Sequence, residues 1–185
     1  VILFFIICQS FPLQVIGSEW KSMDPYLTAD ISLKNKEILI GLAGRIWTIS
    51  PQGGEATQLT NNDSFLTNPK FSDIKNNIFA YKKSEFGKTV VFLDITSRKH
   101  QNILPLEINI KTAALHPDNT RLTFSTDSYH KNFELWEIDL ETKLTWKITH
   151  NNHNNLWPAW SSDGKHLAWV QNEPGLSSLV VRRFG

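Results

Sequence analysis

Two histidines three residues apart, His150 and His153 in the stretch THNNHNNLW, come nearest to metal chemistry in this 185-residue chain. Neighbouring imidazoles can share a zinc ion, but no third ligand follows them in sequence, so the stretch reads as a solvated, Asn-rich loop and no metal is expected. The spacings G-x-S-x-G, H-E-x-x-H, C-x-x-C and G-x-x-x-x-G-K are all absent. No activated nucleophile or phosphate cradle is expected, no cofactor is implied, and the chain is not expected to be an enzyme by itself. Asn62-Asp63-Ser64 fits a glycosylation sequon, which matters only in a eukaryotic secretory host. The six tryptophans from Trp47 to Trp169 could form stacking platforms, yet their strand positions point to packing between neighbouring sheets. His116 falls in a turn and His166 on the outward face of a strand, while His100 and His130 carry no catalytic signature.

The elements that position these residues emerge from a repeat. Aligning ISLKNKEILI, FSDIKNNIFA, LHPDNTRLTF and WSSDGKHLAW places Ile31, Phe71, Leu115 and Trp160 in register, with steps of 40, 44 and 45 residues. Ile38, Ile78, Leu122 and Leu167, which open the following strand, advance by the same steps. Further on, IWTIS, VVFLD and LWEID bring Ser50, Asp94 and Asp139 together, and Leu59, Ile103 and Ile148 each follow nine residues later. Each unit holds four short segments of period-two alternation separated by turns, an all-β pattern. Four strands in about 40 to 45 residues mark the blade of a β-propeller, so the fold class is all-β, with four-stranded antiparallel blades. Blades are expected at 25–61, 62–105, 106–150 and 151–185, the last without its outer strand.

The hairpin turns have their own chemistry. Asp163 can accept backbone N–H bonds and Gly164 takes positive φ without steric cost, while Asp118 and Asn119 offer the next best pair. The turns at Lys34-Asn35 and Lys75-Asn76 keep only the Asn. Leu167 with Trp169, Leu122 with Phe124, Ile78 with Ala80, and Ile38 with Ile40 form the inward faces.

Composition narrows the partners. A net charge of +1 and the lack of a basic stripe exclude an electrostatic case for nucleic acid. The first eighteen residues are uncharged and open on a wholly apolar run, so residues 1–17 read as a signal peptide with a cut after Gly17. Gln9, Ser10, Pro12 and Gln14 break the run short of the ~20 residues a membrane span needs, and no membrane insertion is expected after cleavage. Cys8, the single cysteine, lies in this segment, so the mature chain would have no disulfide. Ile7 is too bulky for a lipid-attachment motif at Cys8.

The run PAWSSDGKHLAWV, together with LWEID and WKIT, resembles the blades of TolB-like six-bladed propellers, with Ser162 where that family usually has Pro. The resemblance covers residues 25–185. It implies an exported, non-catalytic scaffold, periplasmic or secreted, that binds a protein or peptide partner and is monomeric when the propeller is complete. TolB has a separate domain ahead of its propeller, and only residues 18–24 lie between the leader and the first blade here. Two alternatives stay open. DISLKNKEILIGLAGRIWTISPQGGEATQLT also resembles the opening blade of propellers in exported amidohydrolases and prolyl-oligopeptidase-type peptidases, whose catalytic domain would lie outside this chain. A sensor propeller on a membrane-anchored regulator is the other. Four TolB-like blades would leave an arc, so the chain is expected to belong to a longer parent and to self-associate when expressed alone.

In an up-and-down blade, the loop entering the first strand and the loop joining the second to the third open on the same end of the disc. We refer to that end as the top face. Its loops are expected at residues 60–67, 82–88, 125–132, 150–156 and 171–177, longer than bottom turns such as 162–165. Function concentrates on loops held by a rigid scaffold. Asn62, Asp63, Asp127, His130, His150, His153 and Asn154 are therefore the candidate partner-binding residues, and changes at His153, Asn154 and Asp127 are expected to weaken capture of a partner.

Overall fold

The computed structural model describes residues 27–32, 36–61, 65–72, 74, 76–105 and 107–184. The apolar leader with Cys8, the turn at residues 34–35, Lys75, and Asn62 and Asp63 lie outside the described residues. The described residues form four antiparallel sheets and no helix. The first blade is β1 (Thr28–Ser32), β2 (Glu37–Leu42), β3 (Arg45–Ile49) and β4 (Thr57–Gln58). The second is β5 (Leu66–Phe71), β6 (Asn77–Ser84), β7 (Gly87–Asp94) and β8 (His100–Asn102). The third is β9 (Ile110–Leu115), β10 (Arg121–Thr126), β11 (Glu134–Asp139) and β12 (Thr145–Lys147). The fourth, with three strands, is β13 (Asn154–Trp160), β14 (His166–Glu173) and β15 (Leu176–Arg183). Within each sheet the strands lie in chain order, as an up-and-down propeller blade requires.

The repeat in the sequence is a repeat in register. Ile31 pairs with Ile38, Phe71 with Ile78, Leu115 with Leu122 and Trp160 with Leu167. Leu59, Ile103 and Ile148 each donate their backbone N–H to the third strand of their own blade, to the carbonyls of Ile46, Val90 and Leu135 at 2.8, 3.0 and 2.8 Å. Asp94 and Asp139 close the turn after that strand by accepting the N–H of Ser97 and of Thr142 at 2.6 and 2.7 Å. Those backbone bonds, made to the ionised form, hold both carboxyls below the usual range.

Packing follows from the alternation. Leu122 and Phe124 pack on Phe79, Tyr81, Val90 and Ile103 of the preceding blade, and Ile78 and Ala80 pack on Leu39, Ile46 and Leu59. Leu167 and Trp169 pack in the same way on Leu135 and Ile148. Each fully buried Leu, Ile or Phe contributes about 1.5–3 kcal/mol relative to exposure, so the interfaces between blades hold the arc together.

Two expectations about loops need correction. Residues 82–88 and 171–177 are not long loops. β6 and β7 run on until only Glu85 and Phe86 separate them, and β14 and β15 are joined by Pro174 and Gly175 alone. Positive φ at Gly87 (126°) and Gly175 (77°) allows both reversals. Gly164 and Asn119 take φ of 68° and 60°, whereas in the first two blades the left-handed residue falls one position later, at Lys36 and Asn76.

His116 also proves to be more than a turn residue. Buried between the third and fourth blades, its ring meets the edge of Trp160 at 4.5 Å, and its Nε2 lies 3.1 Å from the Gly164 carbonyl. A Cβ on Gly164 would sit 2.7 Å from the His116 ring, so this turn needs glycine for space as well as for φ. Trp160 donates its indole N–H to Thr123 across the same seam at 2.9 Å, and Arg121 joins Glu137 at 3.0 Å behind it. His116 Nδ1 lies 2.7 Å from Asp118. Partial burial raises the Asp118 pKa, but the Thr120 N–H and hydroxyl and His116 outweigh it and hold the carboxyl at about 2.

That depressed value has a consequence for acid stability. The contribution of Asp118 is complete above its unfolded pKa of 3.8 and is lost as pH falls through about 2. In Asp118→Asn, urea midpoints should therefore fall less steeply between those two values than in the parent chain. Parallel curves would refute the assignment.

Candidate functional site

Three inner strands depart from the ladder, β5 and β13 at equivalent positions and β9 nearer its start. In β5 the register jumps between Thr67 and Lys70, and in β13 between Leu156 and Ala159. In β9 it passes from Thr112↔Ser125 to Ile110↔Thr126, leaving Lys111 as the extra residue. Such bulges re-aim side chains out of the sheet. Asn68, Lys111 and Trp157 are the exposed residues they release, and all three line one cleft of about 320 Å³.

Trp157 is the most unusual of them. It is 55% exposed and holds a left-handed φ of 53°, a conformation that costs a bulky L-residue roughly 1–2 kcal/mol. Its N–H, released from the ladder, donates to the Thr112 hydroxyl at 2.9 Å. Packing between blades is therefore not its role, although Trp160 and Trp169 do pack there.

The cleft exists because of what stands at one position of the second strand. Gly41, Tyr81 and Ser125 are equivalent in the repeat, each three residues after the strand's first landmark. Gly41 lets β1 lie against β5: a Cβ there would come within 2.5 Å of Thr28 and 2.7 Å of Pro69. Ser125 lets β9 lie against β13 and donates its hydroxyl to the Asn155 carbonyl at 2.6 Å. Tyr81 is far larger, and β5 and β9 make no such contact. Its phenol spans the gap, accepting the Ala113 N–H at 2.6 Å and donating to the Ala113 carbonyl at 3.2 Å.

Burial pushes the Tyr81 hydroxyl up to about 12, against the opposing pull of the Ala113 backbone, so it stays neutral and serves as a wedge, not a base. Lys88 lies over its ring, Nζ 5.1 Å from the centroid. Among the described residues the lining includes no His, Cys, Asp or Glu, and its ionisable groups are Tyr81, Lys88 and Lys111.

A second cleft, of about 340 Å³, lies on the top face of the third and fourth blades and is lined by His130, Lys131, Lys147, His150 and Asn151 among others. His130 and His150 are thus brought together, with His130 stacked on Trp136 at 6.2 Å. His153 is engaged elsewhere, its Nε2 3.4 Å from Glu173. Asn154 accepts the Phe133 N–H at 2.9 Å and Asp127 accepts from the Asn109 amide at 3.2 Å, so both pin the loops that carry them. No group of three or more metal-ligating side chains occurs among the described residues. A larger groove of about 630 Å³ opens at the bottom rim of the second and third blades, where Asp94 and Ser97 are occupied with each other.

Sequence reasoning missed Asn155 beneath the second cleft. Fully buried, it gives its amide to Glu134, Asn151 and the His153 carbonyl, and accepts the Trp169 indole N–H at 2.9 Å. Glu134, also buried, accepts from Thr149 and faces Lys147 at 3.4 Å. The only hint was a run of asparagines ending on a hydrophobic strand, which reads equally well as a solvated turn.

No family model matches the sequence, and no curated protein matches it. Solved structures do match. TolB from Acinetobacter baumannii superposes with a TM-score of 0.71 at 18% identity, over 86% of this chain and 41% of that one. A structure from a study of two prolyl endopeptidases gives a TM-score of 0.65 at 13% identity, over 90% and 28%. One from a nidogen/laminin complex gives 0.63 at 12%, over 83% and 59%. The chain spans less than half the length of the TolB it matches, and identities this low speak to fold alone. Blade order, repeat register and these superpositions together give the described residues the fold of a TolB-like β-propeller.

Proposed function

We propose that this chain is the propeller of an exported, periplasmic or secreted protein that binds a protein or peptide on its top face without chemical turnover. Trp157 carries the reading: a bulky, exposed aromatic held in a costly backbone conformation beside a ready cleft is the kind of feature retained for contact with a ligand. The described lining combines an exposed aromatic ring with lysine, asparagine and threonine side chains, a set suited to holding a peptide. The nidogen match comes from a structure of a complex with laminin, a protein partner. The propeller is then a monomer once its ring is complete. The match to a prolyl endopeptidase structure supports a second reading, in which the same arc flanks a hydrolase domain elsewhere in a longer protein.

Site-specific photo-crosslinking in the source cells tests the first reading. A benzophenone amino acid at His150, on the top face, or at Trp157, in the cleft between the inner strands, should give a discrete adduct with a second protein that is recovered uncleaved. The same probe at Lys165 in a bottom turn should give none. Equal adducts from both faces, or cleavage of the captured protein, would contradict it.

A further inference from the structure

We propose that the cleft between the second and third blades receives acidic side chains of an extended peptide, with Lys88 and Lys111 as the carboxylate-binding groups. The inference rests on the top face being a binding face and adds the chemistry of what it binds. Among the described residues the lining includes two lysines and no carboxylate, although the chain as a whole is nearly neutral at +1. Its positive character is therefore local, set by the bulge that releases Lys111 and by the hairpin that places Lys88 second in β7.

Lys88 is held over the Tyr81 ring at 5.1 Å, an arrangement that restrains its ammonium beside the cleft. Lys111 is exposed on the bulge of β9. The exposed ring of Trp157, whose N–H is bonded to Thr112 next to Lys111, lines the same cleft, with Thr112 and Asn68 adding hydrogen-bonding groups. A space of about 320 Å³ takes a few side chains of an extended strand and is too narrow for a helix about 10 Å across. Two cations beside an aromatic face suit a segment that alternates acidic and aromatic residues.

Three fluorescent, acetylated and amidated Gly-Ser peptides carrying Glu-Phe-Glu, Gln-Phe-Gln or Lys-Phe-Lys at the centre test this by anisotropy on the full chain. Circular dichroism would first verify each protein as folded. The Glu peptide should bind at least about ten-fold tighter than either of the others, and added salt should erode that preference. Lys111→Gln and Lys88→Gln should each abolish most of the preference, while Lys165→Gln in a bottom turn leaves it unchanged. Equal binding of the three peptides, binding of none, or a preference that survives both lysine changes would overturn the proposal. A Gln or Lys peptide that binds better, with binding lost in Trp157→Ala, would keep the top face as a binding face and reject only its acidic ligand.

Discussion

Replacing Tyr81 by serine should destabilise the chain by about 3–5 kcal/mol, the range for deleting a buried aromatic ring, and should draw β5 and β9 together. The ring packs with Phe79, which it meets edge-on at 5.7 Å, and with the core shared by the second and third blades. Its loss leaves a void at the seam that the strands can fill only by approaching, as the smaller Gly41 and Ser125 allow at their own seams. Tyr81→Phe separates the two contributions. It keeps the ring but strands the Ala113 N–H and carbonyl, which should cost about 1–3 kcal/mol without closing the cleft. Urea unfolding followed by tryptophan fluorescence would measure both. A serine variant as stable as the phenylalanine variant would show that the ring is not a wedge.

The second large effect is expected at Asn155. An Asn155→Leu change keeps the branched shape but removes the acceptor of the Trp169 indole and a donor to the buried Glu134. Each buried polar group left unpaired costs about 1–3 kcal/mol, and an ionised one more, so a loss of about 3 kcal/mol or more should follow. Asn152→Ala, on the exposed part of the same loop, should stay within about 0.5 kcal/mol of the parent, since its contact to Asn132 runs through the backbone carbonyl. Similar melting curves for the two variants would refute the buried network.

These two positions show where the sequence was legible and where it was not. Blade architecture could be read because it is repeated: Leu59, Ile103 and Ile148 recur in step, and each makes the same backbone bond. The function of Tyr81 could not, because Gly, Tyr and Ser share no chemistry. Only geometry reveals that this position faces the next blade's inner strand. The bulges of β5 and β13 were half visible, in Pro69 and Pro158, but the third blade is regular at the equivalent Ala113 and bulges at Lys111, which leaves no mark in the sequence. In NNHNNLW nothing distinguishes the buried Asn155 from its solvated neighbours. His116 looked like a turn residue because its partners, Trp160 and Gly164, lie a full repeat away.

Tyr81 holds the second and third blades apart and so creates the cleft lined by Asn68, Lys111 and Trp157. Pulsed electron–electron resonance between nitroxides tests it most directly, in a Cys8→Ser background that removes the single native cysteine. One pair, Asn68→Cys with Lys111→Cys, spans the cleft. The other, Lys111→Cys with Trp157→Cys, spans the closed seam between β9 and β13. The cleft pair should be the more widely separated, and Tyr81→Ser should shorten that distance alone. Equal separations for the two pairs, unchanged by Tyr81→Ser, would contradict the account.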